Sequence, residues 1–342
     1  MPIVSFVKID YKKDLEFSVM KAMELANWKK YVKSGKIFLK INAMGNQLVP
    51  GLNTSPFILE SVIKILKKEF SACKLYVGDA DLATIKQLEY SAKIWGYKRI
   101  AEKYNCKFIN LSKEETIKKK INGTVFKEIE VPKILEEMDS IISLPVIKTH
   151  GLTKMTCALK NSWGFLPRYR HKYHPVAGIA IPEMNRAVKV DFCIVDGTIC
   201  MEEKGPRTGK PKICDVVLAG NDLVAIDYVV AKFMGIDPED VTYIKYAEKM
   251  KLGSTKDIKI VGDKFFVANF EPPKENLVFF LEKRFRKLPI FKKLLFDTKI
   301  FDIISIFVSL YNMKYWYYLK GRKYAKRIFR HPYYGKLYSK LI

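Results

Sequence analysis

Along the first 265 residues, short alternating or wholly apolar runs take turns with segments whose apolar positions recur every three to four residues. Strands are predicted at residues 3–9, 36–41, 74–78, 107–111, 140–144, 191–196, 214–219 and 258–261. Helices are predicted at 14–32, 56–70, 81–95, 134–138, 222–234 and 238–250. Asp14, Ser55, Asp81 and Asn221 carry side chains that cap helix N-termini, and Pro56 and Pro238 suit the first turn. Strand and helix in alternation predict an α/β fold: a mixed, mostly parallel sheet with helices on both faces over residues 1–272, followed by a basic helical tail over 273–342.

Ligands of such sheets sit beyond the carboxyl ends of the strands. Here four strand ends run into polar, glycine-rich segments: 36–41 into NAMGNQLVPGLNTSP, 74–78 into Asp79 and Asp81, 140–144 into a histidine-rich stretch, and 191–196 into GTICMEEKGPRTGKP. Parallel, adjacent strands would bring all four to one rim.

The tail has its own pattern. Residues 300–319 are nearly long and apolar enough to span a bilayer, but Asp302 and Lys314 interrupt them. Asp302, Ser305, Ser309 and Asn312 fall on one narrow helical stripe, and the flanks are rich in Lys, Arg and Tyr. These features fit an interfacial amphipathic helix, or a helix packed on the core or on a second subunit, better than a spanning one. From Lys274 to Ile342 there are 17 Lys and Arg against 4 Asp and Glu, so +13 of the +25 formal charge lies in 69 residues.

Composition narrows the classes further. An apolar content of 49% over 342 residues supports a full core and excludes a disordered chain. The opening MPIVSFVKID alternates like a strand and does not read as a signal peptide, so a cytoplasmic protein is expected, peripheral at the inner membrane face if the tail binds lipid. The six cysteines are widely spaced, without a CxxC pair or a cluster-binding run, and are expected to be reduced. No nucleic-acid motif, GxGxxG or GxxxxGK(S/T) accompanies the charge, so no specific nucleic acid is expected as partner; a homo-oligomer is compatible with the sequence.

Three of the four histidines, His150, His171 and His174, lie in PVIKTHGLTKMTCALKNSWGFLPRYRHKYHP, from Pro145 to Pro175, which contains no acidic residue. Imidazoles titrate near neutrality, and lysine and arginine hold carboxylates or phosphates, so this makeup points to acid/base chemistry on an anion. His150, His171 and His174 are the candidate proton carriers, with Glu202, just before GPRTG, as the carboxylate that orients one of them. Lys148, Lys160, Asn161, Arg168 and Arg170 are the candidate anion ligands. Lys40 and Asn42 bracket a strand end ahead of Gly45 and Gly51, whose backbone N–H groups could approach an anion, and Asp79 and Asp196 occupy two further strand ends. Asp222 and Asp227 fit capping and packing better. The histidines lack the HxxxH or HExxH spacing of a zinc site, so no metal ligand is assigned and no cofactor is named.

The pieces SLPVIKTH and ALKNSWG (Ser143 to Gly164), DGTICMEEKGPRTG (Asp196 to Gly209) and AGNDLVAIDYVVAKFMG (Ala219 to Gly235) resemble the family called domain of unknown function 362. Upstream, FLKINAMGNQLVPGLNTSP and VGDA look like its first-strand lysine loop and Gly-Asp turn, with Ile41 where the family usually has proline. The resemblance covers roughly residues 36–262 and implies a fold more than a reaction. Some relatives carry a ferredoxin-like iron-sulfur module, whose cysteines this chain lacks. A distant similarity to the amino-terminal domain of nickel-pincer lactate racemases implies acid/base work on a small anion. The expected function is therefore an enzyme of isomerase, racemase or redox type acting on a small anionic or phosphorylated ligand. The alternatives are a non-enzymatic anion-binding or scaffold protein brought to an anionic membrane by residues 273–342, or a metal- or iron-sulfur-linked oxidoreductase component.

Overall fold

A computed structural model describes residues 1–82, 87–166, 168–273, 307 and 310–341; for Arg168, Tyr169, His171 and 312–314 it describes the backbone alone. The chain opens with β1 (Ile3–Lys8), α1 (Leu15–Leu25), β2 (Lys36–Lys40), α2 (Pro56–Glu69), β3 (Lys74–Asp79), α3 (Leu88–Ile94), α4 (Tyr97–Lys103) and β4 (Lys107–Asn110). A hairpin of β5 (Thr116–Lys120) and β6 (Glu128–Pro132) precedes β7 (Ser140–Ser143), β8 (Val146–His150), β9 (Lys154–Thr156), α5 (Ala158–Asn161) and α6 (Ala177–Ala187). Then come β10 (Phe192–Glu202), β11 (Lys210–Gly220), α7 (Leu223–Met234), α8 (Thr242–Lys249), β12 (Lys259–Gly262) and, near the C-terminus, α9 (Arg322–Phe329) and α10 (Pro332–Tyr338).

The main sheet has the order β12-β1-β11-β10-β7-β2-β3-β4. From β10 to β4 all neighbours are parallel, whereas β11 runs antiparallel to both β10 and β1. This is the mixed, mostly parallel sheet expected from the sequence. Side chains of period two divide the core. Phe38, Phe6, Val195 and Leu218 join the helices α5 to α8, while Ile37, Leu39, Val7 and Ile194 join α1, α2 and α4 on the opposite face.

Local chemistry explains most element starts. Asp14 accepts from Phe17 N at 3.0 Å and Ser55 from Phe57 N, with Pro56 at the first helical position of α2. The helix expected from Asp81 is described only from Leu88, and the cap of α7 is Asp222 instead of Asn221. Strands β8 and β9 fall in a stretch expected to be loop. After Pro145 interrupts β7, the chain re-enters the sheet as β8, which continues beside β10 where β7 leaves off.

The described part of the tail shares a core with the α/β unit. Trp316, Ala325, Ile328, Tyr334 and Tyr338 are buried in the same cluster as Ile37 and Ile58. The Tyr338 ring meets Phe57 at 5.2 Å, Tyr334 Oη donates to Asp215 at 2.6 Å, and Arg99 donates to Lys340 O at 3.0 Å. The polar stripe at Asp302, Ser305, Ser309 and Asn312 lies outside the residues whose side chains are described. Among the described residues, no helix is long and apolar enough to cross a membrane. Tyr338→Ala should cost about 3–5 kcal/mol in urea unfolding, the range for emptying a buried aromatic site; a loss below about 1 kcal/mol would mean that the tail contributes no core.

Candidate functional site

The carboxyl ends of β2, β3, β7 and β10 share one edge of the sheet because these strands are parallel, and β7, β2 and β3 lie side by side. Lys40 ends β2 and Asp79 ends β3, and the two form a buried ion pair at 2.6 Å. Asp79 also accepts from Ala43 N and Ala80 N, and Lys40 donates to Ile41 O. Residue 164 must be glycine-sized here, since a Cβ would stand 2.6 Å from Asp79 Oδ1 and 2.7 Å from Lys40 Nζ. The pair is therefore a structural clamp between two strands. Lys40 and Asp79, expected as anion ligands, are each other's ionic partners here.

Asn42 and Asn161 are likewise spent internally. Asn42 Nδ2 donates to Asn161 Oδ1 at 3.1 Å, and Asn161 Nδ2 donates to Lys40 O and to Ser143 Oγ. Asn42 Oδ1 in turn accepts from Lys148 Nζ at 2.6 Å, and Leu52 O accepts from the same ammonium. These amides position Lys148. Gly45 N–H is taken by Asn53 Oδ1, and Gly51, at φ +90°, lies where a Cβ would stand 2.5 Å from Cys200 O, so both glycines serve the loop's packing. Asp196 gives one oxygen to Ser55 N and the other to Thr198, tying the start of α2 to β10. Glu202 accepts from Glu271 N and pairs with Lys212 of β11 at 3.1 Å, so its partners among the described residues are a backbone N–H and an ammonium, not an imidazole.

Lys148, Lys160 and Arg170 form the cationic part of the site. All three are buried, and none makes an ion pair among the described residues. Burial first, and the Lys160 charge second, push the Lys148 amine down to about 7. Burial and the Arg170 guanidinium do the same to Lys160, also to about 7. Arg170 donates to Asp81 O at 2.9 Å and to Leu166 O, both neutral oxygens. Lys160 is 9% exposed, and its ammonium has no hydrogen bond or ion pair among the described residues. It rides on α5, a single helical turn held by Asp227, whose carboxylate accepts from Ala158 N at 2.7 Å and Leu159 N at 3.0 Å.

His150 is expected in the segment that follows the strand at 140–144. It is the last residue of β8 and is buried, two positions from Lys148 and therefore on the same side of that strand. Its Nδ1 accepts from Leu152 N at 3.1 Å and Thr153 N at 3.4 Å, which places the proton of the neutral ring on Nε2. The His174 ring stands edge-on to it, 6.4 Å away at 84°, and stacks on Trp163 at 6.2 Å. Thus His150, His174, Lys148, Lys160 and Arg170 come from one region. The side chains of His171 and Arg168 lie outside the described set. Among the described residues, no group of three His, Cys, Asp or Glu is placed to hold a metal ion.

Sequence reasoning passed over Arg207, which lies close enough to Lys148 to lower its proton affinity, and Trp163, which supports His174. A lone arginine between the glycines of GPRTG was a signal for the first; nothing local marked the second.

Comparison with known proteins adds three likenesses. A thylakoid-associated protein of Synechocystis is 28% identical over 138 residues, which covers 38% of this chain and 43% of that protein. The lactate racemase apoprotein of Thermoanaerobacterium thermosaccharolyticum superposes with a TM-score of 0.45 at 13% identity, covering 74% of this chain and 57% of that one. A structural-genomics protein of Thermotoga maritima gives 0.39 at 14% identity, with coverages of 69% and 59%. In each case the chain spans less than two thirds of the protein it matches. The family profile described as "Domain of unknown function (DUF362)" matches residues 37–232, more than half of the chain and including Lys148, His150, Lys160, Arg170 and His174, so the chain belongs to that family.

Proposed function

We propose that this protein is an enzyme that binds a small carboxylate- or phosphate-bearing ligand through Lys148, Lys160 and Arg170 and moves a proton on it with His174, while His150 donates a hydrogen bond to it. The observation that carries this reading is Lys160, a buried lysine with no counter-ion among the described residues, beside a guanidinium that repels it. A buried charge is ordinarily paired, and an anionic ligand supplies the missing partner. With Nδ1 of His150 held by two backbone donors, its Nε2–H is a hydrogen-bond donor to the ligand, and His174 is the imidazole that takes a proton. A C–H bond next to a carboxylate would break toward His174, its electron pair would pass to the carboxylate oxygens, and the cations together with the His150 Nε2–H would stabilise the added charge. Return of the proton from the His174 imidazolium to the carbon completes an isomerase-type cycle. The free cysteines fit a reducing compartment such as the cytoplasm.

The test is hydrogen exchange in D2O with a panel of α-hydroxy and α-oxo carboxylates, followed by proton NMR. At least one compound should lose its α-proton signal, and His150→Asn and His174→Asn should each slow that loss about a hundredfold or more. Asparagine is chosen because alanine would strand the Leu152 and Thr153 N–H groups, at about 1–3 kcal/mol each. Exchange that is unchanged in both variants, or no exchange across the panel, overturns the proton-transfer role.

A further inference from the structure

We propose that the outer face of the C-terminal helical segment is a docking surface for an anionic lipid bilayer. The segment is fixed from below: Trp316, Ala325, Ile328, Tyr334 and Tyr338 are buried against the α/β unit, so its opposite side faces outward from a rigid support. That side is aromatic at its start. Phe307, Tyr311, Tyr315 and Tyr318 are 68%, 51%, 60% and 61% exposed, whereas in the rest of the described chain Tyr90 is the one aromatic past half exposure. Tyr311 and Tyr315 stack with ring centres 5.4 Å apart, which makes a continuous surface of them. Leu310 and Leu319 are exposed beside them.

The same side turns basic along α9. Lys320, Arg322, Lys323, Lys326, Arg327 and Arg330 are exposed, and none makes a salt bridge among the described residues. No acidic residue occurs anywhere from Ile303 to Ile342. The two regions join where the Arg322 guanidinium lies 5.6 Å from the centre of the Tyr318 ring. Isolated surface aromatics are ordinary, but a patch of tyrosines and leucines bordered by unpaired cations is not. Tyrosine suits the headgroup layer, with its ring toward the acyl boundary and its hydroxyl toward water, while lysine and arginine gain from anionic headgroups. The exposed leucines and Phe307 favour a bilayer over a nucleic acid, which would use the cations and the stacked rings but leave the aliphatic side chains without a partner.

The experiment is flotation of the full chain with vesicles of phosphatidylglycerol and phosphatidylcholine in a one-to-two ratio, and with pure phosphatidylcholine vesicles. The protein should float with the anionic vesicles, much less with the neutral ones, and detach as salt is raised. Combining Lys323→Glu, Lys326→Glu and Arg327→Glu should lower the lipid affinity about a hundredfold, since each surface cation contributes about fivefold. Tyr315→Ser with Tyr318→Ser should lower it about tenfold. These positions are exposed, so the thermal midpoint should not move, and binding of inorganic phosphate at the rim site serves as the control that separates this proposal from the enzymatic one. No flotation with anionic vesicles, equal flotation with neutral ones, indifference to the charge reversals, or tighter binding to a single-stranded oligonucleotide would each overturn it.

Discussion

Lys160→Met should make the ligand-free protein more stable and its anion binding weaker, an inverse pair of effects expected of a charge kept for a ligand. The ammonium is buried without a hydrogen-bond or ion-pair partner among the described residues and stands in the field of Arg170. Methionine fills similar space with no charge to desolvate, so urea unfolding should show a gain of about 1–3 kcal/mol. Affinity for phosphate or sulfate, measured by calorimetry, should fall about tenfold to a hundredfold because a charge-assisted contact is lost. A variant that is less stable and binds anions as before would show Lys160 to be part of the scaffold, and the proposed site would lose its central cation.

Changing the pH should move stability and binding in opposite directions. Lys148 and Lys160 are both pushed down to about 7 in the folded chain, chiefly by burial, whereas in the unfolded chain a lysine holds its proton to about 10.4. Between those limits the unfolded state holds more protons on these lysines than the folded one, so the stability of the ligand-free protein should rise from about pH 7 to about pH 8, above which the buried thiols, kept protonated by burial, oppose the trend. Below about pH 7 both states are protonated, and these two groups give no further slope. Sulfate does not titrate in this range, so its affinity reports the protein alone and should decline as the pH passes upward through 7 and the amines lose charge. In Lys160→Met the stability slope should shrink, with Lys148 as its remaining source. A flat stability profile between pH 7 and 8, or a sulfate affinity independent of pH, would show that the two amines keep ordinary proton affinities.

Removal of the tail would not separate the rim site from the membrane surface. Truncation after Pro272 would uncover the apolar surface now covered by Trp316, Tyr334 and Tyr338, so the shortened chain would report on stability before it reported on binding. Substitutions on the outer face leave that core in place.

The elements that repeat a simple period were legible from residues alone. Alternation or a short apolar run marked β1, β2, β3, β7 and β12 to within a residue or two, and Ser55-Pro56 marked the start of α2. Elements without a local period were not legible. Strand β8 is buried along its whole length and follows a proline, β5 reads as a charged run because it carries Lys118, Lys119 and Lys120, and α6 contains Gly178 and Pro182. Their secondary structure comes from neighbours distant in sequence: β8 is paired by β10 and β9, and β5 by β6.

The same division applies to the candidate site. From sequence alone came the α/β architecture, the gathering of lysines, amides and histidines at the carboxyl ends of parallel strands, and the excess of cations over carboxylates in the histidine segment. Which cations are spent internally was decided only in three dimensions. Lys40 is matched by Asp79 from the next strand, Lys148 by Asn42 and Leu52 O, and Lys160 by no described residue. Charge compensation acts over a few ångströms through partners far apart in the chain, whereas hydrophobic periodicity acts through the backbone geometry of consecutive residues. The fold class could therefore be read along the sequence, and the free positive charge could be found only in the folded chain.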